Sequence, residues 1–269
     1  MSDQPRLLFC CFDVLPGPHA VSRRLAQYLT AIGDRFEVSI LSAKTTDHSH
    51  IERYHGARLM RVPVGTGDLM SRMQTFDRAV RRQLESEEYV LAHFFDPISG
   101  YALCEQREKY GYRLVYDALT FPSVELPSQQ PKLDNEKRLL AKTRRQELYC
   151  LMTAHAVVTG SPTTWQYIVD QGVPADQVRI LRAPVDLAAY TTEELGRPDA
   201  QPMRLLYLGS SMPWQGVSTL LRALQLAMRH VDVRLTIAGP KHPVWTPALG
   251  ELVAELKLKG KVEFAGPVP

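Results

Sequence analysis

Short apolar runs alternate with segments of helical periodicity along almost the whole chain. The first run is Arg6–Phe12, and the segment after it places apolar residues three or four positions apart from Val21 to Ile32. A run that is apolar throughout is typical of a strand buried on both faces of a parallel sheet. Strands that alternate with helices favour a parallel sheet covered by helices on both sides. The sequence therefore predicts an α/β protein built from doubly wound parallel sheets.

The alternating pattern is interrupted once. The segment TTEELGRPDAQP, residues 191–202, is polar and contains glycine and proline, which is typical of a linker. The pattern after it has three strands and two helices, half of a usual doubly wound sheet. We therefore expect a first domain at 1–190, a linker at 191–202 and an incomplete second domain at 203–269, in a chain that ends before its fold is complete.

The same patterns predict the positions of the other elements. The remaining strands of the first domain are predicted at Phe36–Leu41, Arg58–Val62, Val90–Phe95, Arg113–Tyr116, Ala156–Thr159 and Val178–Leu181. Its later helices are predicted at Phe76–Leu84, Gly100–Lys109, Asn135–Met152 and Pro162–Gln171. In the second domain, strands at Leu205–Leu208, Val233–Ala238 and Val262–Ala265 alternate with helices that contain Val217–Leu224 and Leu249–Leu256.

Composition excludes several classes of protein. Hydrophobic residues make up 45% of the chain and charged residues 23%, which is typical of a folded domain rather than a disordered chain. The net charge of +3, from 32 basic and 29 acidic residues, is too even to indicate bulk nucleic-acid binding. No apolar run approaches the roughly 18 residues of a membrane span, and the first residues lack the pattern of a signal peptide.

Cysteine usage indicates a reducing compartment. The four cysteines include no CxxC pair and no spacing typical of a zinc site. Cys10 and Cys11 lie within the first apolar run, where we expect buried thiols that act as small hydrophobic side chains. We therefore expect a cytoplasmic protein.

Common cofactor and metal motifs are missing from the sequence. No GxGxxG opens a helix, and there is no Walker A, HExxH or GxSxG motif. There is also no DxD triplet, the carboxylate pair that would hold a metal ion on a nucleotide diphosphate. Three histidines, His48, His50 and His55, share a loop without paired carboxylates, so we expect no metal site there. The sequence predicts no metal and no bound cofactor.

Motifs in a particular order and spacing point to one enzyme family. In the second domain they are YLG at 207–209, QGV at 215–217, LLRAL at 220–224, VRLTIAGP at 233–240 and VEFAG at 262–266. In the first domain they are Pro16-Gly17, YVLAH at 89–93, Asp96-Pro97, AHAVVTGS at 154–161 and APVD at 183–186. Together they resemble the GT4-type retaining glycosyltransferases of the GT-B fold, over essentially the whole chain.

The resemblance implies a fold and a reaction. It implies two Rossmann-like domains, the first for the acceptor and the second for the donor. The reaction would transfer a sugar from a nucleotide-diphosphate sugar to a glycan or lipid-linked acceptor, in glycan, polysaccharide or glycolipid biosynthesis. In the family a pair of glutamates spaced E-x7-E contacts the donor. Glu255 and Glu263 have that spacing by coincidence, so we expect the true pair beyond residue 269 and little activity in this chain alone.

The donor diphosphate is expected at the loop Gly209–Gly216. A glycine at a strand end lets a ligand approach the backbone, and the helix that follows offers unpaired N–H groups at its positive end. The family places an arginine and a lysine in this loop, where this sequence has Ser210 and Gln215, so we expect Lys241 to supply the missing charge. An ordinary strand-to-helix turn is the alternative. The candidate donor-binding residues are Gly209, Ser210, Ser211, Gln215, Gly216, Gly239 and Lys241.

His93 and Asp117 are the candidate catalytic residues, because they end two predicted strands. The resemblance implies further histidines where this sequence has Phe95 and Leu119. A histidine at the end of an apolar run is also typical of a satisfied core residue, and Asp117 is also compatible with a capping role. The candidate acceptor or cleft residues are Gly17, His19, Glu125 and Ser161.

Two predicted helices carry clusters of basic side chains. One has Arg78, Arg81 and Arg82, and the other has Lys137, Arg138, Lys142, Arg144 and Arg145. A solvated helix face is one interpretation, and peripheral contact with an anionic inner membrane face is the other. Two alternative functions also stay open: a non-catalytic binding module of GT-B fold, and another GT-B enzyme such as a sugar-nucleotide epimerase.

Overall fold

The chain forms two compact units, Met1–Leu187 and Ala188–Pro269. A computed structural model describes residues 4–17, 19–129, 137–183, 185, 187 and 202–268. Of the predicted linker, only Pro202 falls within the described residues.

Strands and helices alternate in the first unit as the periodicity predicts. Its strands are β1 (Arg6–Val14), β2 (Glu37–Ala43), β3 (Ile51–Tyr54), β4 (Ala57–Val62), β5 (Leu91–Phe94), β6 (Arg113–Asp117), β7 (Ala156–Thr159) and β8 (Val178–Ile180). Its helices are α1 (Ala20–Ile32), α2 (Leu69–Ser86), α3 (Pro97–Tyr110), α4 (Pro122–Gln129), α5 (Lys137–Thr153) and α6 (Pro162–Asp170).

In the described part of the first unit, the strands form one sheet in the order β3-β4-β2-β1-β5-β6-β7-β8. Neighbouring strands are parallel, except that β3 pairs antiparallel with β4. The chain passes from β1 to β2 on one side and later resumes at β5 on the other, so the strand order reverses between β1 and β5. Ligands of doubly wound sheets bind beyond the carboxyl ends of the strands at such a point. A functional site is therefore expected where β1, β5 and β6 end.

Alternate side chains of the central strands enter two separate cores. From β1, Leu8 and Cys10 pack with α2 and α3, whereas Leu7, Phe9 and Cys11 pack with α1. All four cysteines are free and buried, so the predicted role of Cys10 and Cys11 as buried side chains is confirmed. The sheet thus separates a layer containing α1 from a layer containing α2, α3 and α5.

Two elements of the first unit lie outside the sequence prediction. Strand β3 forms a hairpin with β4, and the turn residues His55 and Gly56 both have positive φ angles, of 46° and 82°. Helix α4 contains Pro127 within its eight residues.

Helix α2 begins well before the predicted Phe76, because the Asp68 carboxylate accepts a hydrogen bond from the Ser71 backbone N–H at 2.9 Å and caps the helix.

The second unit confirms the predicted order of its elements. Strands β9 (Met203–Leu208), β10 (Val233–Ala238) and β11 (Val262–Gly266) form a parallel sheet in the described residues, with β10 in the centre. Helices α7 (Val217–Ala227) and α8 (Trp245–Glu255) contribute Val217, Leu221, Leu249 and Val253 to its core. On β9, Leu206 and Leu208 are 69% and 68% exposed.

Among the described helices, none combines the length and the apolar character needed to cross a membrane.

Candidate functional site

Four polar side chains meet beneath the carboxyl edge of the first sheet. The guanidinium Nε of Arg24 and the hydroxyl of Tyr28 each donate a hydrogen bond to Asp117 Oδ2, both at 2.6 Å. His93 Nε2 lies 3.7 Å from the same oxygen. Asp117 is completely buried, and Arg24 and His93 are only 3% and 8% exposed. The cluster is a buried ion pair with an imidazole beside it.

The local structure explains why these side chains converge. Arg24 and Tyr28 are four residues apart on α1, so both point from one helix face toward the sheet. Asp117 is the last residue of β6, and His93 lies within β5. Their strand neighbours Phe94 and Tyr116 point into the opposite core, so the period of two along each strand directs His93 and Asp117 toward α1.

Burial and charge act in opposite directions on the Asp117 carboxyl. Burial alone would raise its pKa, but the nearby His93 imidazole, the Tyr28 hydroxyl and the Arg24 guanidinium outweigh burial and hold the pKa below its usual value. Burial and the adjacent carboxylate raise the pKa of Tyr28, which keeps its hydroxyl protonated as a donor. Asp117 is therefore an anion at neutral pH.

The cluster leaves several polar atoms without a partner. Arg24 Nη2, His93 Nε2 and Asp117 Oδ1 are buried and make no hydrogen bond in the described structure. Buried polar atoms are usually satisfied, so three unpartnered atoms in one cluster mark it as a candidate functional site.

Aromatic rings enclose the His93 imidazole. Its centroid lies 4.9 Å from that of Phe9, 5.2 Å from Tyr28 and 5.1 Å from Phe95. Leu119 packs against the same core. The two positions at which the resemblance implied histidines therefore hold apolar side chains of one core, and Phe95 lies directly beside His93.

The four predicted cleft residues mostly make local contacts. The Gly17 backbone N–H donates to the Ser22 hydroxyl at 3.2 Å, and His19 is the exposed N-cap of α1. Glu125 accepts from the Phe121 backbone N–H at 3.0 Å, and burial raises its pKa. Ser161 caps α6 by accepting from the Thr164 backbone N–H at 3.2 Å.

In the second unit, the ends of the three strands bring several predicted donor-binding residues together. Gly209, Ser211, Gly239 and Lys241 line one small cavity of about 10 Å³, together with Thr246 and Gly266. The Ser211 and Thr246 hydroxyls that line it are hydrogen-bonded to each other at 2.9 Å. The backbones also touch: Gly239 has a φ of 148°, and any Cβ there would collide with the Gly209 carbonyl.

The start of α7 is open toward solvent. Gly216 precedes the helix in the left-handed conformation, with a φ of 72°, and no side chain caps the first turn. Gln215 and Lys241 are exposed, and Ser210 is half-buried. The first backbone N–H groups of α7 therefore have no side-chain acceptor.

The structure brings some predicted residues together and adds others. His93 lies beside Asp117, and the glycines of the second unit lie beside Ser211 and Lys241. Sequence reasoning missed Arg24, Tyr28 and Thr246. The four-residue spacing of Arg24 and Tyr28 places both on one helix face, which was a usable signal in the sequence. Their contact with Asp117 had no such signal, because Arg24 and Asp117 are 93 residues apart.

Solved structures with this fold include several enzymes that act on sugars. Sucrose-phosphate synthase from Thermosynechococcus elongatus is 19% identical, with a TM-score of 0.77 over 98% of this chain and 71% of that one. HepE from Anabaena, in complex with UDP and glucose, is 16% identical, with a TM-score of 0.69 over 98% and 70%. WaaG, a glycosyltransferase of lipopolysaccharide biosynthesis, is 16% identical, with a TM-score of 0.68 over 97% and 70%. Because the sequence identities are below 20%, the structural similarity establishes the fold alone.

Two Rossmann-like units with these sheets define the chain as a GT-B protein, and the chain spans about 70% of the length of these structures. The model of Glycosyltransferase Family 4 matches residues 17–189, and the chain belongs to this family. The family and the fold make the intact protein a glycosyltransferase. No curated protein matches the chain in sequence.

Proposed function

We propose that the chain transfers a sugar from a nucleotide-diphosphate sugar to a glycan or lipid-linked acceptor, with retention of configuration. The observation that carries the proposal is the open first turn of α7 beside the strand-end glycines of the second unit. The presence of UDP and glucose in the HepE structure supports this choice of donor.

The donor diphosphate binds at the start of α7. Uncapped N–H groups and the positive end of the helix dipole attract phosphate oxygens. Gly209 and Gly216 present backbone without side chains, so the phosphates approach closely. Lys241, exposed at the same edge, supplies the positive charge that Ser210 and Gln215 lack. These groups neutralise the departing diphosphate without a metal ion.

Asp117 and Arg24 position the reacting groups in this proposal and do not contact the substrate themselves. Because both are buried and paired, they hold the His93 imidazole and the edge of the sheet in place. Of the two candidate catalytic residues, His93 keeps a small exposed surface and Asp117 keeps none, so His93 is the one that meets the acceptor. Gly17 and His19, at the start of α1, line the acceptor side.

Nucleotide binding tests the donor site. Calorimetric titration of UDP-, GDP- and dTDP-sugars should give saturable binding of one of them, unchanged by EDTA. Lys241→Ala should weaken it about tenfold, whereas Lys259→Ala, an exposed lysine at the opposite edge, should leave it unchanged. Equal affinities of the two variants would exclude Lys241 from the donor site.

Product analysis tests the reaction itself. A glycosylated acceptor with retained anomeric configuration supports transfer, whereas an epimerised nucleotide sugar would assign the chain to another GT-B activity. His93→Ala should lower the transfer rate by roughly a hundredfold or more at an unchanged donor Kd. A small effect on the rate would contradict a role at the reacting centre.

One observation favours a second function, that of a non-catalytic binding module. Apolar side chains, Phe95 and Leu119, stand where the family resemblance implied histidines, and Phe95 lies directly beside His93. Such a module would bind the nucleotide sugar or the acceptor and form no product. Saturable donor binding together with no turnover across a panel of acceptors would support it.

We also place the protein in the cytoplasm, in peripheral contact with the inner membrane face. The basic side chains of α2 and α5 support this proposal, because such faces bind anionic lipid. Salt-sensitive co-sedimentation with phosphatidylglycerol vesicles is expected, and its absence would contradict membrane contact.

A further inference from the structure

A groove of about 710 Å³ runs between three helices of the first unit. The first turn of α3 forms its floor with Ile98 and Tyr101. Helix α2 forms one wall, and α5 forms the other. This volume lies within the usual range of sites for small organic ligands, about 300–1,000 Å³.

Positive charge from both walls faces the groove. Arg78 and Arg81 are three residues apart on α2, and Lys142 and Arg145 are three residues apart on α5. This spacing places each pair on a single helix face. The sequence predicts two separate basic helix surfaces, whereas the structure brings both into one groove.

Most of this positive charge has no acidic partner. Arg81 is neutralised, since its Nε lies 2.8 Å from Asp77 and a further nitrogen pairs with Glu105. Arg78, Lys142 and Arg145 have no carboxylate within ion-pair distance among the described residues. The Lys142 ammonium instead contacts the Met70 sulfur at 3.1 Å. Three unpaired cations around one concave space repel one another, and a bound anion would relieve that repulsion.

The groove also has an apolar and aromatic part. The Tyr101 and Tyr149 rings lie 5.5 Å apart at an angle of 56°, and Met73 and Ile98 add apolar surface. A simple inorganic anion would leave this surface unused. The combination fits a molecule that joins a charged group to a ring or chain.

The groove is separate from the site proposed for catalysis. Its walls belong to the helix layer on one side of the sheet, whereas His93 and Asp117 point toward α1 on the other side. A ligand in the groove therefore does not contact the reacting groups.

We propose that this groove is a second binding site, which takes an organic phosphate. Arg78, Lys142 and Arg145 would bind the phosphate oxygens, and the two tyrosines would contact the organic part. Two sources share this chemistry: a soluble sugar or nucleoside phosphate, and the headgroup of an anionic phospholipid.

Binding of phenyl phosphate, which combines one phosphate with one ring, tests the site. The titration is made on the full chain without nucleotide, and Lys241→Ala, which leaves the groove intact, reports any binding of the probe at the second unit. The test variant is Arg78→Gln/Arg145→Gln. The matched control is Arg82→Gln/Arg138→Gln, which removes the same charge from exposed positions of the same helices outside the groove. All four positions are exposed, so both proteins should melt like the wild type.

A second arm separates the two sources of phosphate. It measures co-sedimentation with vesicles of pure phosphatidylcholine and with vesicles of equal parts phosphatidylcholine and phosphatidylglycerol. The groove variant should lose phenyl phosphate affinity about tenfold or more, with the control within about twofold. Groove-dependent binding of the soluble probe alone supports a free organic phosphate, and groove-dependent binding of anionic vesicles supports a lipid headgroup. Equal losses in the two variants, or no saturable binding in either arm, would overturn the proposal.

Discussion

The guanidinium of Arg24 lies 2.6 Å from the carboxylate of Asp117, and the two side chains are only 3% and 0% exposed. Arg24 also donates from Nη1 to the Leu181 carbonyl at 2.9 Å. Through these contacts one side chain of α1 joins the end of β6 to the segment that follows β8. Burying two charged groups costs desolvation free energy, and the hydrogen bonds around this pair offset that cost. The pair therefore fixes the edge at which the proposed site lies.

Removing one partner of this pair should destabilise the first unit strongly. Asp117→Asn leaves the Arg24 guanidinium buried without a counter-charge, so the free energy of unfolding should fall by about 3–5 kcal/mol. Urea unfolding followed by far-ultraviolet circular dichroism measures this change. The control is Glu37→Gln, which breaks the exposed Arg6–Glu37 pair and should cost about 0–1 kcal/mol. Similar losses in both variants would contradict a structural role for the buried pair.

The lowered pKa of Asp117 predicts acid sensitivity. Its carboxyl has a lower pKa in the folded protein than in the unfolded chain, so the unfolded chain takes up the proton first as the pH falls. The stabilisation is therefore complete above the ordinary aspartate pKa of about 3.9 and is lost as the pH falls below it. The double variant Arg24→Met/Asp117→Leu lacks this group and should lose less stability than the wild type between about pH 5 and pH 3. Parallel curves of urea midpoint against pH would contradict the assignment.

The Tyr28 hydroxyl should contribute to the same ion pair. It donates to the oxygen that Arg24 also contacts, so Tyr28→Phe should cost about 1.5–3 kcal/mol. A double-mutant cycle with Arg24→Met should show coupling, because both groups serve one acceptor. Tyr149→Phe is the control, since that ring is 41% exposed and its hydroxyl makes no hydrogen bond in the described structure. Additive losses in the cycle would show that the two donors act independently.

Much of the fold follows from the sequence because its central strands are buried on both faces. Strands rich in apolar and β-branched residues are recognised without tertiary information, as at Ala156–Thr159 and Val233–Ala238, where predicted and observed ends agree. Strand β3 lacks this signal, because Ile51–Tyr54 is a half-exposed edge strand in which charged residues replace the apolar run. Helix α4 is short and contains Pro127, so it shows no helical periodicity.

The candidate site was less predictable than the fold. His93 and Asp117 are candidates because each lies close to the end of a predicted strand, a property of local sequence. Their contacts depend on how α1 packs across the sheet, which the residues near either position do not determine. An arginine within a helix does not by itself indicate burial, and the buried Asp117 opposite Arg24 explains its place in the core.

The close approach of Gly239 to Gly209 predicts the effect of a single methyl group. At Gly239, alanine combines an unfavourable φ of 148° with a collision against the Gly209 carbonyl, and it should cost about 2–5 kcal/mol. Gly250 is the matched control: it lies within α8, and a Cβ there meets nothing within 4 Å. Gly250→Ala should therefore raise stability by about 0.5–1 kcal/mol, since alanine is the better helix former.

Tryptophan fluorescence measures both glycine variants in the unit that carries them. Trp214 and Trp245 lie in the second unit and Trp165 in the first, so the emission reports mainly on the second unit. Opposite shifts of the urea midpoint are expected for the two alanine variants. If Gly239→Ala left the midpoint unchanged, the two strand ends would be free to separate. A preformed donor loop needs a backbone that is held in place before the ligand arrives. The contact between Gly239 and Gly209 would then not be evidence for such a loop.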